Sequence, residues 1–157
     1  MDFSRLRRNK KPRERVVVDS SVISSSLKNE ERSGSAKKVL QRVENREQYI
    51  YTKVVDDELK AVKAEKDPAF KNRVEKYRAA HRHMIRRTPR PSAEDLRKSP
   101  AIRKDKYILH AAIKTKADTL ITLDNKFAKR CDGYESVHVV MPEDYLREHG
   151  RKGGKRK

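Results

Sequence analysis

The chain has one cysteine, Cys131, in 157 residues. A single thiol excludes an intrachain disulfide and any multi-cysteine zinc site, and a reducing compartment is the expectation. No apolar run approaches the ~20 residues that a membrane helix needs. The opening stretch MDFSRLRRNKKPRER lacks the apolar segment of a signal peptide. Neither end carries a long basic amphipathic helix with a bulky apolar face, so no membrane partner is expected. These absences together predict a soluble, cytoplasmic protein. Hydrophobic residues are also scarce, at 34% against 41% charged, so the core must be compact and much of the charge must lie outside it. Acid is scarce relative to base: 23 Asp and Glu stand against 41 Lys and Arg, a net charge of +18. A field of that sign and size favours a polyanionic partner, nucleic acid first. There is no internal repeat.

What is present divides into three segments. Residues 1–14 read as a basic, proline-containing flexible arm, and residues 150–157 (GRKGGKRK) as a basic, glycine-rich flexible tail. Residues 15–149 read as one domain of alternating short strands and amphipathic helices. Strands are expected at Arg15–Val18, Gln48–Tyr51, Thr119–Leu123 and Val137–Val140. Helices are expected at Ser35–Arg46, Lys53–Glu65 and Asp105–Lys116, and from Pro142 into Glu143–His149. Asp67-Pro68 is the cap and first-turn pair of a further helix, with Phe70, Val74, Tyr77, His81 and Met84 on its inward stripe. The proline-rich RRTPRPSAEDLRKSP reads as loop with one helical turn. Strands alternating with helices imply an α/β fold with a central parallel sheet covered on both faces.

Acids stand where such a sheet binds ligands. Open parallel sheets bind beyond the carboxyl ends of their strands, where the strand order switches. Asp19 follows RVVV and Asp124 follows TLITL, so both project over that edge. Glu58 lies on the apolar stripe of its helix, between Val55 and Val62. Asp105 begins a helix and shares a stripe with Leu109 and Ala112. Each also has a local role open to it: Asp105 can cap its helix, Asp124 can make a turn, and Glu58 can be solvated beside Asp56 and Asp57. Four clustered carboxylates repel one another, and a divalent cation supplies the missing counter-charge. All-oxygen ligands suit Mg²⁺ or Mn²⁺ rather than zinc. Such a site can activate a water and stabilise the leaving oxygen of a phosphodiester.

These motifs resemble a family. VVVDSSVI resembles the first motif of PIN domains, an acid after the first strand followed by a small hydroxyl residue. VVDDELKAV resembles the second, with Glu58 at the acid position. DKYILHAAIKTKADTLITLD resembles the third and fourth, including an AD-x-L-[IV]-T-x-D signature. The resemblance runs from about Arg15 to Leu146. It implies a three-layer sandwich, metal binding and catalysis by Asp19, Glu58, Asp105 and Asp124 with Mg²⁺ or Mn²⁺, and hydrolysis of single-stranded RNA. It leaves two roles open: the toxin of a toxin–antitoxin pair of the VapC type, with an antitoxin partner, or an RNA-processing protein acting on ribosomal RNA. Homodimers occur among relatives. Departures are DSS where many relatives read DTN, which removes a polar amide at Ser21, and the crowding of Glu58 by Asp56 and Asp57.

Outside the acids, Ser20 or Ser21 is a candidate to orient a phosphate or a metal-bound water. Arg82, Arg86, Arg87 and Arg90 are candidates to hold phosphates, with a merely solvated face as the alternative. His81 is read as a core histidine, and Tyr49, Tyr51 and Tyr107 as packing residues. Two competing functions remain open. One is a non-catalytic RNA-binding or ribosome-associated module. The other is a phosphatase in which the first-strand Asp is phosphorylated, which the missing D-x-D after that strand disfavours.

Overall fold

The computed structural model describes residues 13–28, 34–62 and 67–154, with side chains to residue 150. The proposed arm lies almost wholly outside the described residues, as do the last three residues of the chain.

Arg15–Val18 forms β1, and Val16, Val17 and Val18 are fully buried. A strand so apolar on both of its faces belongs in the middle of a parallel sheet. It lies there. With β2 (Gln48–Thr52), β3 (Ile85–Arg86), β4 (Thr119–Ile121) and β5 (His138–Val140), the sheet order is β3-β2-β1-β4-β5 and every pairing is parallel. The register is fixed on both sides of β1, with Val17 opposite Ile50 of β2 and Leu120 of β4.

The helices are α1 (Ser20–Leu27), α2 (Gly34–Arg46), α3 (Lys53–Lys60), α4 (Pro68–His81), α5 (Ala93–Lys98), α6 (Asp105–Lys114), α7 (Asn125–Cys131) and α8 (Pro142–Gly154). They cover the sheet in the α/β sandwich expected of the sequence. Apolar stripes drive this. Val39, Leu40 and Val43 of α2, Val55 and Leu59 of α3, Phe70 and Val74 of α4, and Ile108, Leu109 and Ala112 of α6 are all buried in one cluster with the strands. Local chemistry sets the starts. Thr52 ends β2 and accepts a hydrogen bond from Val55 N, so strand passes directly into α3. Asp67 accepts from Phe70 N at 3.0 Å, with Pro68 in the first turn of α4.

Several boundaries differ from the sequence reading. The segment SSVISSSL after Asp19 is a helix, α1, although serine favours caps and turns. Its buried Val22, Ile23 and Ser26 supply the packing that overrides propensity. The helix expected over Lys53–Glu65 ends at Lys60. β4 stops at Ile121, because the Thr122 side chain is taken up in the turn that follows. The proline-rich stretch contains both β3 and α5, the latter started by a reciprocal Ser92–Asp95 capping box. The closing helix continues beyond His149 to Gly154.

Candidate active site

The chain crosses from β3 back past β2 and β1 to build β4, so the strand order reverses between β1 and β4. That reversal is the switch point at which open α/β sheets bind ligands. Asp19 leaves β1 there and Asp124 follows β4 on the same edge. Asp19 is 8% exposed at the mouth of α1, and its side chain does not cap that helix. Instead its Oδ2 accepts hydrogen bonds from the Thr122 hydroxyl at 2.9 Å and the Ser21 hydroxyl at 3.0 Å.

Thr122 and Ser21 join the two acid-bearing turns. Thr122 is fully buried, and its Oγ1 also accepts from Asp124 N at 3.1 Å. Ser21 Oγ accepts from Leu123 N at 3.3 Å. Each hydroxyl therefore donates to Asp19 and receives from the β4–α7 turn. Asp124 in turn caps α7, its Oδ1 accepting from Phe127 N at 3.1 Å. The local capping role open to Asp124 is real, and it leaves the second carboxylate oxygen free of that bond.

Glu58 comes from α3, and the crowding around it is sorted by partners. Asp56 is 4% exposed and turned inward, where it accepts from the Tyr51 hydroxyl at 2.7 Å and from both arms of the Arg78 guanidinium at 3.1 and 3.2 Å. Asp57 is exposed and pairs with Lys53 one turn back. Glu58 is half-buried and accepts from the Ser20 hydroxyl at 2.7 Å. Of the three neighbours, Glu58 is the one whose partner borders Asp19. Asp105 opens α6 but does not cap it. Lys104 stands at the cap position, and Arg103 before it adopts φ of 53°, a left-handed conformation uncommon outside glycine.

Three of the acids are shifted in the same direction. Burial pushes the Asp19 carboxyl above its ordinary value; the Thr122 and Ser21 hydroxyls pull it back, and the charge of Asp124 pushes it further. Burial also raises Glu58, with the charges of Asp19 and Asp105 adding to it against Ser20 and Lys104. Asp105 is raised by burial and then by Asp19 and Asp124, with Lys104 and Arg130 opposing. Each of the three thus senses another of the four acids. The donor set is all oxygen, the ligand chemistry of a hard divalent cation. Among the described residues, no three His, Cys, Asp or Glu side chains close into a metal-binding geometry.

Ser20 and Ser21, candidates to orient a phosphate or water, are engaged with Glu58 and Asp19 respectively. Arg82, Arg86, Arg87 and Arg90 are all exposed. Arg87 and Arg90 line a groove together with Lys53 and Tyr107, and Arg82 and Arg86 do not. Tyr107 corrects its sequence reading: it is 45% exposed, not packed. Tyr51 is buried, and His81 is half-buried against Tyr77 and Glu44. Thr122 was not singled out by sequence reasoning, although its signal was present as the threonine of TLITLD.

A family model described as PIN domain matches residues 15–126. The chain belongs to the PIN-domain family, whose members are generally nucleases that depend on divalent metal. No curated protein and no solved structure matches it significantly. Among the described residues, no helix is long and apolar enough to cross a membrane.

Proposed function

We propose that this protein is a metal-dependent endoribonuclease, with Asp19, Glu58, Asp105 and Asp124 as its metal-binding and catalytic acids. One observation supports the reading: Asp19, Glu58 and Asp105, from three separate elements, are each raised by burial and by the charge of at least one other of the four acids. Nothing in an ordinary core requires that arrangement, and it costs stability.

The four carboxylates would hold Mg²⁺ or Mn²⁺. Bound there, such an ion supplies a nucleophilic water at neutral pH and stabilises charge at the leaving oxygen. The chain's own residues do the rest. Thr122 and Ser21 fix the orientation of the Asp19 carboxylate, and Ser20 fixes that of Glu58. The surrounding Lys and Arg surface, part of a net charge of +18, draws a polyanion toward an acidic pocket that would otherwise repel it. RNA is the proposed substrate, in a cytoplasmic setting. The toxin role, with an antitoxin partner, and the ribosomal-RNA-processing role share this chemistry. A small partner gene directly upstream argues for the first, and cleavage mapped to ribosomal RNA in the absence of such a gene for the second. A homodimer is part of the proposal by likeness to relatives alone.

The test is cleavage of total RNA by purified protein with Mn²⁺ or Mg²⁺, with Asp124→Asn alongside and the cut ends mapped. Cleavage that needs metal and falls at least 100-fold in the variant supports the reading. A second reading, a non-catalytic RNA-binding module, is favoured by the lack of a closed metal geometry among the described residues. It prevails if RNA is bound but never cut with either metal.

A further inference from the structure

Residues of α3, α6 and the stretch after β3 line a groove of about 820 Å³. Its walls include Lys53 and Asp57 of α3, Arg87 and Arg90 from the stretch after β3, and Tyr107 and His110 of α6. Three observations bear on its occupant. First, Tyr107 lines the groove while 45% exposed, one of three exposed large hydrophobic side chains among the described residues and the one of them that lines it. An exposed aromatic face beside cations is the surface on which unpaired bases stack. Second, Lys53, Arg87 and Arg90 bring three cations to one groove against the single acid Asp57, which already pairs with Lys53. Third, α3 presents Val54 to the groove, and Glu58 lies one turn further along the same face of that helix.

We propose that this groove holds a nucleotide of single-stranded RNA flanking the bond that is cut, with its base stacked on Tyr107 and its phosphate held by Arg87 and Arg90. The inference rests on the endoribonuclease reading for its substrate, and it adds a specificity determinant to that site. A base can lie flat on Tyr107 only when it is not stacked in a duplex, so the groove selects unpaired RNA. His110, one helical turn along the same face of α6, is 9% exposed, and its Nε2 has no hydrogen-bond partner among the described residues. Turning that ring toward an occupant gives the nitrogen a polar partner at the base edge.

The experiment separates binding from cutting. Fluorescence anisotropy is measured in EDTA with a labelled single-stranded RNA of mixed sequence, and in parallel with the same RNA as a perfect duplex. Tyr107→Ala is expected to weaken single-strand binding about ten-fold, the effect of losing one stacked base. Tyr107→Phe keeps the ring and is expected to bind as wild type does. Arg87→Ala with Arg90→Ala weakens binding and flattens its salt dependence. Duplex binding is expected to be unchanged by Tyr107→Ala. Tyr107 is exposed, so the variant should fold, which its melting curve checks. Equal single-strand affinity for wild type and Tyr107→Ala overturns the groove, as does an equal loss on the duplex. Either result leaves metal-dependent cleavage untouched. Conversely, a ten-fold loss in a protein that never cuts RNA would keep the groove and remove the nuclease.

Discussion

The Ser20 hydroxyl donates a 2.7 Å hydrogen bond to Glu58 Oε1, joining the first residue of α1 to the acid of α3 across 38 positions of chain. Ser21, its neighbour, does the same for Asp19. The DSS motif therefore places one hydroxyl on each of two acids, and Ser21 takes up an orienting role despite lacking the amide that many relatives have there.

Ser20→Ala removes the hydrogen bond that orients Glu58 and leaves the carboxylate in place. The expected outcome is RNA cleavage reduced about 10–100-fold, the usual cost of losing a partner that orients a metal-binding group. The melting temperature should hardly move. Single-turnover cleavage at saturating Mn²⁺ is the check, and an unchanged rate would mean that Glu58 needs no orienting.

Repulsion among the acids makes a prediction about stability. Asp105 is held above its ordinary value by burial and by the charges of Asp19 and Asp124. Asp105→Asn removes one of the repelling charges. In EDTA at neutral pH the variant should melt about 2–4 °C higher, the shift that ~1 kcal/mol produces in a chain of this size. Added Mn²⁺ should raise the melting temperature of wild type more than that of the variant. A variant that melts lower in EDTA would show that Asp105 stabilises the fold.

How much of this could be read in the sequence follows from what each feature depends on. β1 and its acid are legible because three valines leave no other placement and Asp19 has no apolar role after them. The helices of α2 and α4 are legible from their spacing. α1 is not, because its serines carry no periodic signal and its helix is held by the burial of Val22, Ile23 and Ser26. β3 is two residues long and set only by pairing with β2, which no local pattern encodes. The three acids Asp56, Asp57 and Glu58 are indistinguishable in sequence. They separate only when Tyr51, Arg78 and Lys53 come to meet the first two. Tyr107 was misread because helical spacing says which residues share a face and not whether that face is covered.

The separation of those acids can be measured. Asp56→Ala leaves the Arg78 guanidinium and the Tyr51 hydroxyl without their shared partner in a mostly buried place. A loss of about 3 kcal/mol in urea denaturation is expected, the lower part of the range for breaking a buried pair. Asp57→Ala removes only an exposed pair within one helix and should cost no more than ~0.5 kcal/mol. Glu58→Gln should abolish cleavage while leaving stability unchanged or higher. Were Asp57→Ala to abolish cleavage and Glu58→Gln to spare it, the second acid of the site would have to be reassigned.

The last prediction concerns pH and a pair of elements away from the acids. His138 on β5 sits between Asp132, 2.8 Å from its Nδ1, and Glu148 of α8, 3.1 Å from its Nε2. Burial pulls the imidazole down, but the hydrogen bonds and charges of Asp132 and Glu148 outweigh it, so its value is raised on folding. A raised histidine stabilises the fold fully below its unfolded value of about 6.5, and loses that contribution as pH rises through the higher folded value. The side chain is 39% exposed, so solvent screening keeps the contribution below about 1 kcal/mol. Wild type should therefore lose stability as pH rises above about 6.5, and His138→Gln should lose less over the same rise. His81 is raised in the same direction, with Glu44 and the Tyr77 carbonyl outweighing its burial, and it keeps part of the slope in the variant. Urea midpoints at half-unit steps of pH give the comparison, and a slope unchanged in His138→Gln would remove β5–α8 from the account.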